Sequence, residues 1–101
     1  MINAHNHLIK YALDAGHSIT VWNGGDEPET VLCTDFTEVL EHTEAADDAN
    51  LMIYSQEGKF QGEAFVIHGW DMQPQEMVAD YTVTPFMDAW SDEYSKLEGG
   101  A

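Results

Sequence analysis

The sequence contains no arginine and only three lysines, against 19 acidic residues in a chain of 101. The formal net charge is therefore -16 at neutral pH. Binding to nucleic acid requires basic side chains that displace counterions from phosphates, and an anionic membrane surface attracts proteins through the same side chains. The composition therefore argues against direct binding to nucleic acid and against a membrane surface as the partner.

Cysteine and long hydrophobic runs are equally scarce. Cys33 is the one cysteine in the chain, so it can form no intramolecular disulfide, which is typical of a reducing cytosol. It lies in "TVLCT", a β-type apolar run where we expect a small buried hydrophobe. No stretch approaches the roughly 18 consecutive apolar residues of a transmembrane helix, and the N-terminus lacks a signal-peptide pattern. We therefore expect no membrane association and a cytoplasmic location.

Motifs of catalysis and of ligand binding are also missing. The chain has no G-x-S-x-G turn, and "NGGDEPE" lacks the glycine spacing and the lysine of a phosphate-binding loop. Asp47 and Asp48 lack the alternating ligands of a calcium loop. His5 and His7 would point to nearly opposite sides of a helix, so they could not share one metal ion. We expect no catalytic residues, no metal and no cofactor, with an enzyme or metalloprotein as an unsupported alternative.

Two early segments have the spacing of amphipathic helices. Residues 2–15 place apolar side chains and His5 on one stripe, where a core or boundary histidine is expected, and Gly16 follows as a stop. Residues 35–46 begin with Asp35 and Glu38 in the form of a capping box. The predicted buried face of this second helix consists of Phe36, Val39, Leu40 and Thr43.

Four segments are rich in β-branched and aromatic residues and predict two hairpins. Residues 18–23 and 30–34 flank the turn-forming "GGDEPE". Residues 51–55 and 60–69 flank "QEGK", in which Gly58 tolerates a positive φ. The segment that follows, up to residue 83, is ambiguous, because its "MVADYTV" fits either a short helix or an edge strand.

The last segment, residues 84–97, predicts a third helix that Thr84 caps and Pro85 opens. Its apolar stripe consists of Met87, Trp90, Tyr94 and Leu97. The order α-β-β-α-β-β-α predicts one α+β domain over residues 1–98, with a mainly antiparallel four-stranded sheet covered by helices. Residues 99–101 are expected to form a flexible tail.

Nine carboxylates between residues 26 and 48 form the candidate partner-binding site. They come from the first hairpin loop, from the second helix and from the turn that follows it. These residues are Asp26, Glu27, Glu29, Asp35, Glu38, Glu41, Glu44, Asp47 and Asp48. No lysine or arginine occurs from residue 11 to residue 58, whereas surface helices normally mix charges of both signs. Because nothing local offsets the repulsion, a basic partner surface is the interpretation we favour.

The spacing of these acids limits the comparison with DNA. Acids three residues apart on one helix rise about 4.5 Å per carboxylate, whereas duplex DNA carries one charge per roughly 1.7 Å of its axis. One helix alone is therefore too sparse to imitate DNA. A globule of this size spans roughly 34 Å, and DNA of that length carries roughly 20 phosphates, which is of the order of the net charge. DNA mimicry thus requires the loop and the helix to face the same way.

Two stretches, "LIKYALDAGHSITVWNG" and "VADYTVTPFMDAW", resemble small proteins of tailed bacteriophages. The acidity of the chain is similar to that of phage DNA-mimic antirestriction and anti-CRISPR proteins. This resemblance implies a phage product in the cytoplasm of a bacterial host, where it would bind a DNA-handling host protein and block its DNA site.

The sequence therefore predicts a non-enzymatic inhibitor that binds a host DNA-processing protein with a basic groove. The main alternative is a general acidic interaction module that binds a basic or apolar partner, with Trp70 and Met72 as an exposed apolar patch. Adaptation to high salt is a third interpretation, which the three Trp, four Phe and five Met disfavour. The sequence also leaves open that the chain forms a homodimer.

Overall fold

The computed structural model describes residues 3–23, 27–45, 48–67 and 78–98. Within these ranges the chain forms three helices, α1 (Ala4–Asp14), α2 (Phe36–Glu44) and α3 (Pro85–Glu98). The five strands are β1 (Ser18–Trp22), β2 (Thr30–Cys33), β3 (Asp48–Tyr54), β4 (Phe60–Ile67) and β5 (Val78–Tyr81). The result is a small α+β domain of 38 × 30 × 23 Å. None of these helices is long and apolar enough to cross a membrane.

The strands form one antiparallel sheet in the order β2-β1-β3-β4-β5. Both predicted hairpins are confirmed, because β1 pairs with β2 and β3 pairs with β4. Pairing of β1 with β3 joins the two hairpins into a single sheet. The predicted count of four strands is wrong, since β5 adds to the free edge of β4. Val78 and Tyr81 of β5 both pack against the core. This packing explains why "VADY" within the ambiguous "MVADYTV" forms an edge strand.

The helix boundaries follow local capping chemistry. Gly16 has a φ of 86° just after α1, as predicted for a helix stop. The Asp35 carboxylate accepts a hydrogen bond from the Thr37 N–H at 3.0 Å. Glu38 does not complete the predicted capping box, because its carboxylate accepts from Cys33 Sγ at 3.2 Å while the Asp35 N–H is directed to the same sulfur at 3.4 Å.

All three helices pack on one face of the sheet. Alternating residues such as Ile19, Leu51 and Ile53 point to this face and are fully buried, and they join Leu8 of α1 and Val39 of α2 in one core cluster. The other face, called the open face below, has no covering helix among the described residues. It carries Trp22, Asn50, Met52, Tyr54 and Phe65, which alternate with the buried positions.

The third helix approaches the sheet very closely. Thr84 Oγ1 accepts from the Met87 N–H at 3.2 Å, which confirms the predicted cap, and it donates to the Gln61 carbonyl at 2.7 Å. Beside this contact, Gly62 lies directly under Met87, so a side-chain carbon at residue 62 would come 2.8 Å from Met87 Sδ. The absence of a side chain at Gly62 therefore sets the distance between α3 and β4.

Two predictions of burial are wrong. Phe36 is 37% exposed, because it lies in the first turn of α2 at the margin of the sheet. Cys33 is only half-buried, because β2 is an edge strand and its last residue meets the start of α2. The predicted stripe of α3 is confirmed for Met87, Trp90 and Tyr94, while the side chain of Leu97 lies outside the described residues.

Candidate functional site

The β1–β2 loop and the C-terminal end of α2 lie at the same end of the domain. The side chain of Asn23, just after β1, donates from Nδ2 to the His42 carbonyl at 3.2 Å. Beyond it, Glu27 and Glu29 are exposed, and the Glu29 N–H donates to the Val21 carbonyl at 2.7 Å. The loop that carries Glu27 and Glu29 therefore starts next to the end of α2, while Asp26 lies outside the described residues.

The four predicted acids of α2 and its cap are all exposed, and helical spacing places Glu38 and Glu41 on the side away from the buried Val39 and Thr43. The helix rises about 14 Å from Asp35 to Glu44, so the loop acids adjoin the Glu44 end and not the Asp35 end. Between them, Glu38 and Glu41 occupy the middle of the exposed side. The loop can therefore extend the acidic surface of the helix only at the Glu44 end.

Asp48 belongs to a different surface. It is the first residue of β3 and immediately precedes the buried Ala49, so alternation along the strand directs Asp48 to the open face. Since α2 packs on the other face, Asp48 is separated from the α2 acids by the sheet itself. Asp47 lies outside the described residues. The nine predicted acids therefore do not all share one side.

Three of the four α2 acids also have partners within the fold. Glu44 Oε2 is 2.8 Å from Nε2 of His5, which is fully buried. A carboxylate only accepts, so this His5 nitrogen carries its hydrogen toward Glu44. Asp35 caps α2, and Glu38 contacts Cys33 and lies 4.0 Å from His42. The fourth of these acids, Glu41, forms no side-chain hydrogen bond or ion pair with the described residues.

Acids on the other two helices extend the charged surface of α2. Lys10 of α1 and Lys96 of α3 are each paired with a carboxylate, at 3.3 Å from Asp14 and 3.8 Å from Glu93. We call the exposed carboxylates of the three helices, with the α2 cap, the acidic helix layer. Its members are Asp14, Asp35, Glu38, Glu41, Glu44, Asp88, Asp92 and Glu93. Sequence reasoning missed Asp14 and the α3 members, although "DAWSDE" places Asp88 and Asp92 away from the apolar stripe of α3.

A second surface, on the open face, was not predicted from the sequence. Between Cys33 and Thr30, β2 advances three residues while its partner β1 advances two, so β2 contains a bulge. Leu32 in this bulge has a φ of 49°, and its N–H donates to Thr20 Oγ1 at 3.0 Å. Val31 and Leu32 are consequently 61% and 50% exposed. A run that resembled a buried strand thus places two apolar side chains in solvent.

The described residues offer little for catalysis or metal binding. Partial burial raises the pKa of the Cys33 thiol, and the Glu38 carboxylate adds to this effect, so the thiol is not activated as a nucleophile at neutral pH. No group of three or more metal-ligating side chains occurs in the described part of the chain. His5 contacts Glu44 of α2, and His7 contacts Trp90 of α3. The prediction that these two histidines point to different sides is confirmed.

The pair of His7 and Trp90 gives the domain a pH dependence. Trp90 Nε1 donates to His7 Nδ1 at 3.1 Å, so His7 must be neutral to accept this bond. Burial lowers the pKa of His7 below its ordinary 6.5, and the carboxylate of Glu93 opposes the effect in part. In the window just below pH 6.5 the unfolded chain therefore binds more protons at this residue than the folded chain does.

We expect the contribution of His7 to stability to be complete above pH 6.5 and to be lost as the pH falls through the lowered pKa. The measurement compares urea unfolding of the wild type and of His7→Gln at pH 7.5, 6.5 and 5.5, since Gln can accept from Trp90 but does not titrate. The advantage of the wild type over the variant should shrink toward pH 5.5. A constant difference across the three pH values would contradict this assignment.

The geometry thus provides an acidic helix layer on one side of the domain and a partly apolar open face on the other. Neither surface contains a described arrangement for covalent chemistry. Comparison of the chain with protein-family models, curated proteins and solved structures finds no match.

Proposed function

We propose that this chain is a non-enzymatic inhibitor that binds a DNA-processing host protein and occupies its basic groove through the acidic helix layer. The observation that carries the proposal is the charge of this layer. Eight exposed carboxylates share the helical side of the domain with two lysines, each already paired with one of them. Such a surface attracts a basic groove and repels nucleic acid.

The size of the layer supports this proposal better than α2 alone does. The long axis of the domain is 38 Å, and duplex DNA of that length carries roughly 22 phosphates, about half of them on one side. The layer contributes eight carboxylates, and Glu27 and Glu29 adjoin it at the Glu44 end. Together these are ten carboxylates against two lysines, so about eight negative charges remain, which is of the same order as the roughly 11 phosphates on one side of the duplex.

The mechanism is competition for the lysines and arginines that hold DNA phosphates. Carboxylates fixed on rigid helices bind these cations without base contacts, so the inhibitor reads the charge and width of a groove and not a sequence. Glu44 is held in place by His5, whereas Glu41 is free of internal partners within the described structure and is available to the partner. The proposed setting is the cytoplasm of a bacterial host, where such a protein would meet DNA-handling enzymes.

Capture from a bacterial lysate tests the proposal. The immobilised chain is washed at low salt, and bound proteins are then released with a duplex DNA oligomer at constant ionic strength. We expect DNA to release a DNA-binding protein, and we expect capture to weaken by more than about tenfold between 50 and 300 mM salt. Retention of all captured proteins in the presence of DNA, or capture that ignores salt, would overturn the proposal.

A matched pair of variants locates the surface. Glu38→Gln with Glu41→Gln removes two charges from the acidic helix layer and leaves the Glu44 contact to His5 intact. Glu57→Gln with Glu63→Gln removes the same charge away from the helices. We expect the first pair to weaken partner binding by about tenfold, a typical loss for central charged contacts, while the second has little effect. Equal losses from both pairs would assign the binding to net charge alone.

A further inference from the structure

The open face carries a groove that takes no part in the proposed inhibition, which depends on the acidic helix layer. We propose that this apolar groove binds a basic amphipathic segment of a partner protein, with apolar side chains in the groove and lysines or arginines at its rim. The groove has a volume of about 450 Å³. Its apolar lining consists of Trp22, Pro28, Val31, Leu32, Met52 and Tyr54.

The shape of the groove follows from the β2 bulge. Strands β1 and β3 supply the floor, because Trp22, Met52 and Tyr54 alternate with buried core positions and are half-buried themselves. The bulge at Val31 and Leu32 forms one wall, where the two side chains are 61% and 50% exposed. A positive φ at a leucine is uncommon and costs free energy, so the fold carries two costs at this bulge, the backbone strain at Leu32 and the exposure of an apolar wall. Contiguous exposed apolar surface of this kind marks binding sites.

Four carboxylates belong to residues that are chain or cross-strand neighbours of the groove lining, and they define the chemistry of its partner. Pro28 lines the groove between the exposed Glu27 and Glu29. Gly58 lines it on the other side, next to the exposed Glu57 and to Lys59. Glu63 pairs across the strands with Met52, so its side chain lies on the same face. Four carboxylates against one ammonium group fit a segment that is apolar in the middle and basic at its margins.

The same charges argue against a second copy of the chain as the occupant. Two copies that meet through this face would bring their rim carboxylates together, and each copy carries a net charge of -16. Like charges that face each other across an interface oppose association. A basic segment removes this repulsion, whereas a homodimer increases it.

This inference goes beyond the proposed inhibitor, because the groove lies on the opposite side of the sheet from the acidic helix layer, and only the loop with Glu27 and Glu29 lies next to both surfaces. The failure of one proposal would leave the other intact, since the Glu38 and Glu41 pair affects one surface while Val31 and Leu32 belong to the other.

Calorimetric titration with three synthetic peptides tests the groove. The probe is a peptide of roughly 18 residues with Leu and Lys in an amphipathic heptad pattern. The second peptide carries Glu in place of Lys, and the third carries Ser in place of Leu. We expect the Leu/Lys peptide to bind at least tenfold more tightly than either of the others. Equal binding of the Ser/Lys peptide would overturn the proposal, because charge alone would then suffice.

Variants of the bulge locate the binding. Val31→Ser with Leu32→Asn removes the apolar wall, and Asn tolerates the positive φ at residue 32, so folding should be retained. Val83→Ser makes the same change at a valine that is 80% exposed outside the groove. We expect the double variant to bind the Leu/Lys peptide about tenfold more weakly, and we expect Val83→Ser to bind it with unchanged affinity.

The charged rim has its own control. The double variant Glu57→Gln with Glu63→Gln should bind the Leu/Lys peptide more weakly. The double variant Glu38→Gln with Glu41→Gln should bind it with unchanged affinity. Peptide binding that survives the bulge variant would overturn the assignment of the site. So would sedimentation of the wild type as a dimer that the bulge variant converts to a monomer, because the occupant would then be a second copy.

Discussion

Replacement of Gly62 by alanine is expected to lower the free energy of unfolding by about 3 kcal/mol, at the upper end of the usual cost of overpacking. The added Cβ would overlap Met87 Cγ and lie 2.8 Å from Met87 Sδ and 3.3 Å from Thr84 Oγ1. These atoms are held by the cap of α3 and by the core, so the helix has to shift away from β4. Urea unfolding followed by circular dichroism measures the loss.

Two further variants show whether the overlap with Met87 causes the loss. Gly58→Ala serves as a control, because Gly58 has a positive φ of 82° but a Cβ there would meet nothing within 4 Å. It should cost only about 1 kcal/mol. Met87→Ala is destabilising by itself, but in that background Gly62→Ala should add much less than it does in the wild type. Additive losses at these two residues would contradict a direct contact.

Replacement of Trp90 by alanine is expected to cost about 3–5 kcal/mol, the usual range for a buried tryptophan. Trp90 is 3% exposed and connects three elements. Its ring packs edge-on against Tyr81 of β5, with centroids 5.8 Å apart, and stacks on Tyr94 at 5.8 Å. Its indole N–H donates to His7 of α1. Loss of this side chain should therefore loosen β5 as well as α3.

Hydrogen exchange tests that regional effect. In Trp90→Ala the amides of β5 should lose protection before those of β3, since β5 lies at the edge of the sheet and depends on Tyr81. Trp22→Ala is the matched control, because Trp22 is a half-buried residue of the open face and should cost less stability. If the amides of β5 lost the same protection in Trp22→Ala as in Trp90→Ala, Trp90 would have no specific role in holding β5 in place.

The helices and hairpins were predictable because their signals are local. Gly16, Asp35 and Thr84 mark helix ends through contacts a few residues away, and apolar spacing marks the buried faces. The fifth strand was not predictable in this way. The sequence "VADY" forms a strand because β4 offers a free edge and because Trp90, nine residues after Tyr81, covers it. Such pairing depends on tertiary context, which overrides the weak preference of a four-residue segment.

The sequence predicts the charge of the candidate site, but it does not predict how the acidic side chains are divided between the two faces of the sheet. The exposure of Glu38, Glu41 and Glu44 follows from helical spacing, which sequence shows directly. The separation of Asp48 from these acids depends on strand phase, because one residue of register decides which face a side chain occupies. Exposure of Val31 and Leu32 depends on an extra residue in β2 relative to β1, and sequence patterns carry no sign of it.

Both margins of the sheet are unsuited to further growth. The outer strands β2 and β5 are four residues long, and each is out of step with its neighbour at one position. A short, irregular margin offers few aligned backbone groups to an incoming strand, which is how natural sheets avoid polymerisation. The fold can therefore tolerate a partly apolar sheet face that no described helix covers, and a ligand of that face would approach from above the plane of the sheet and not along its side.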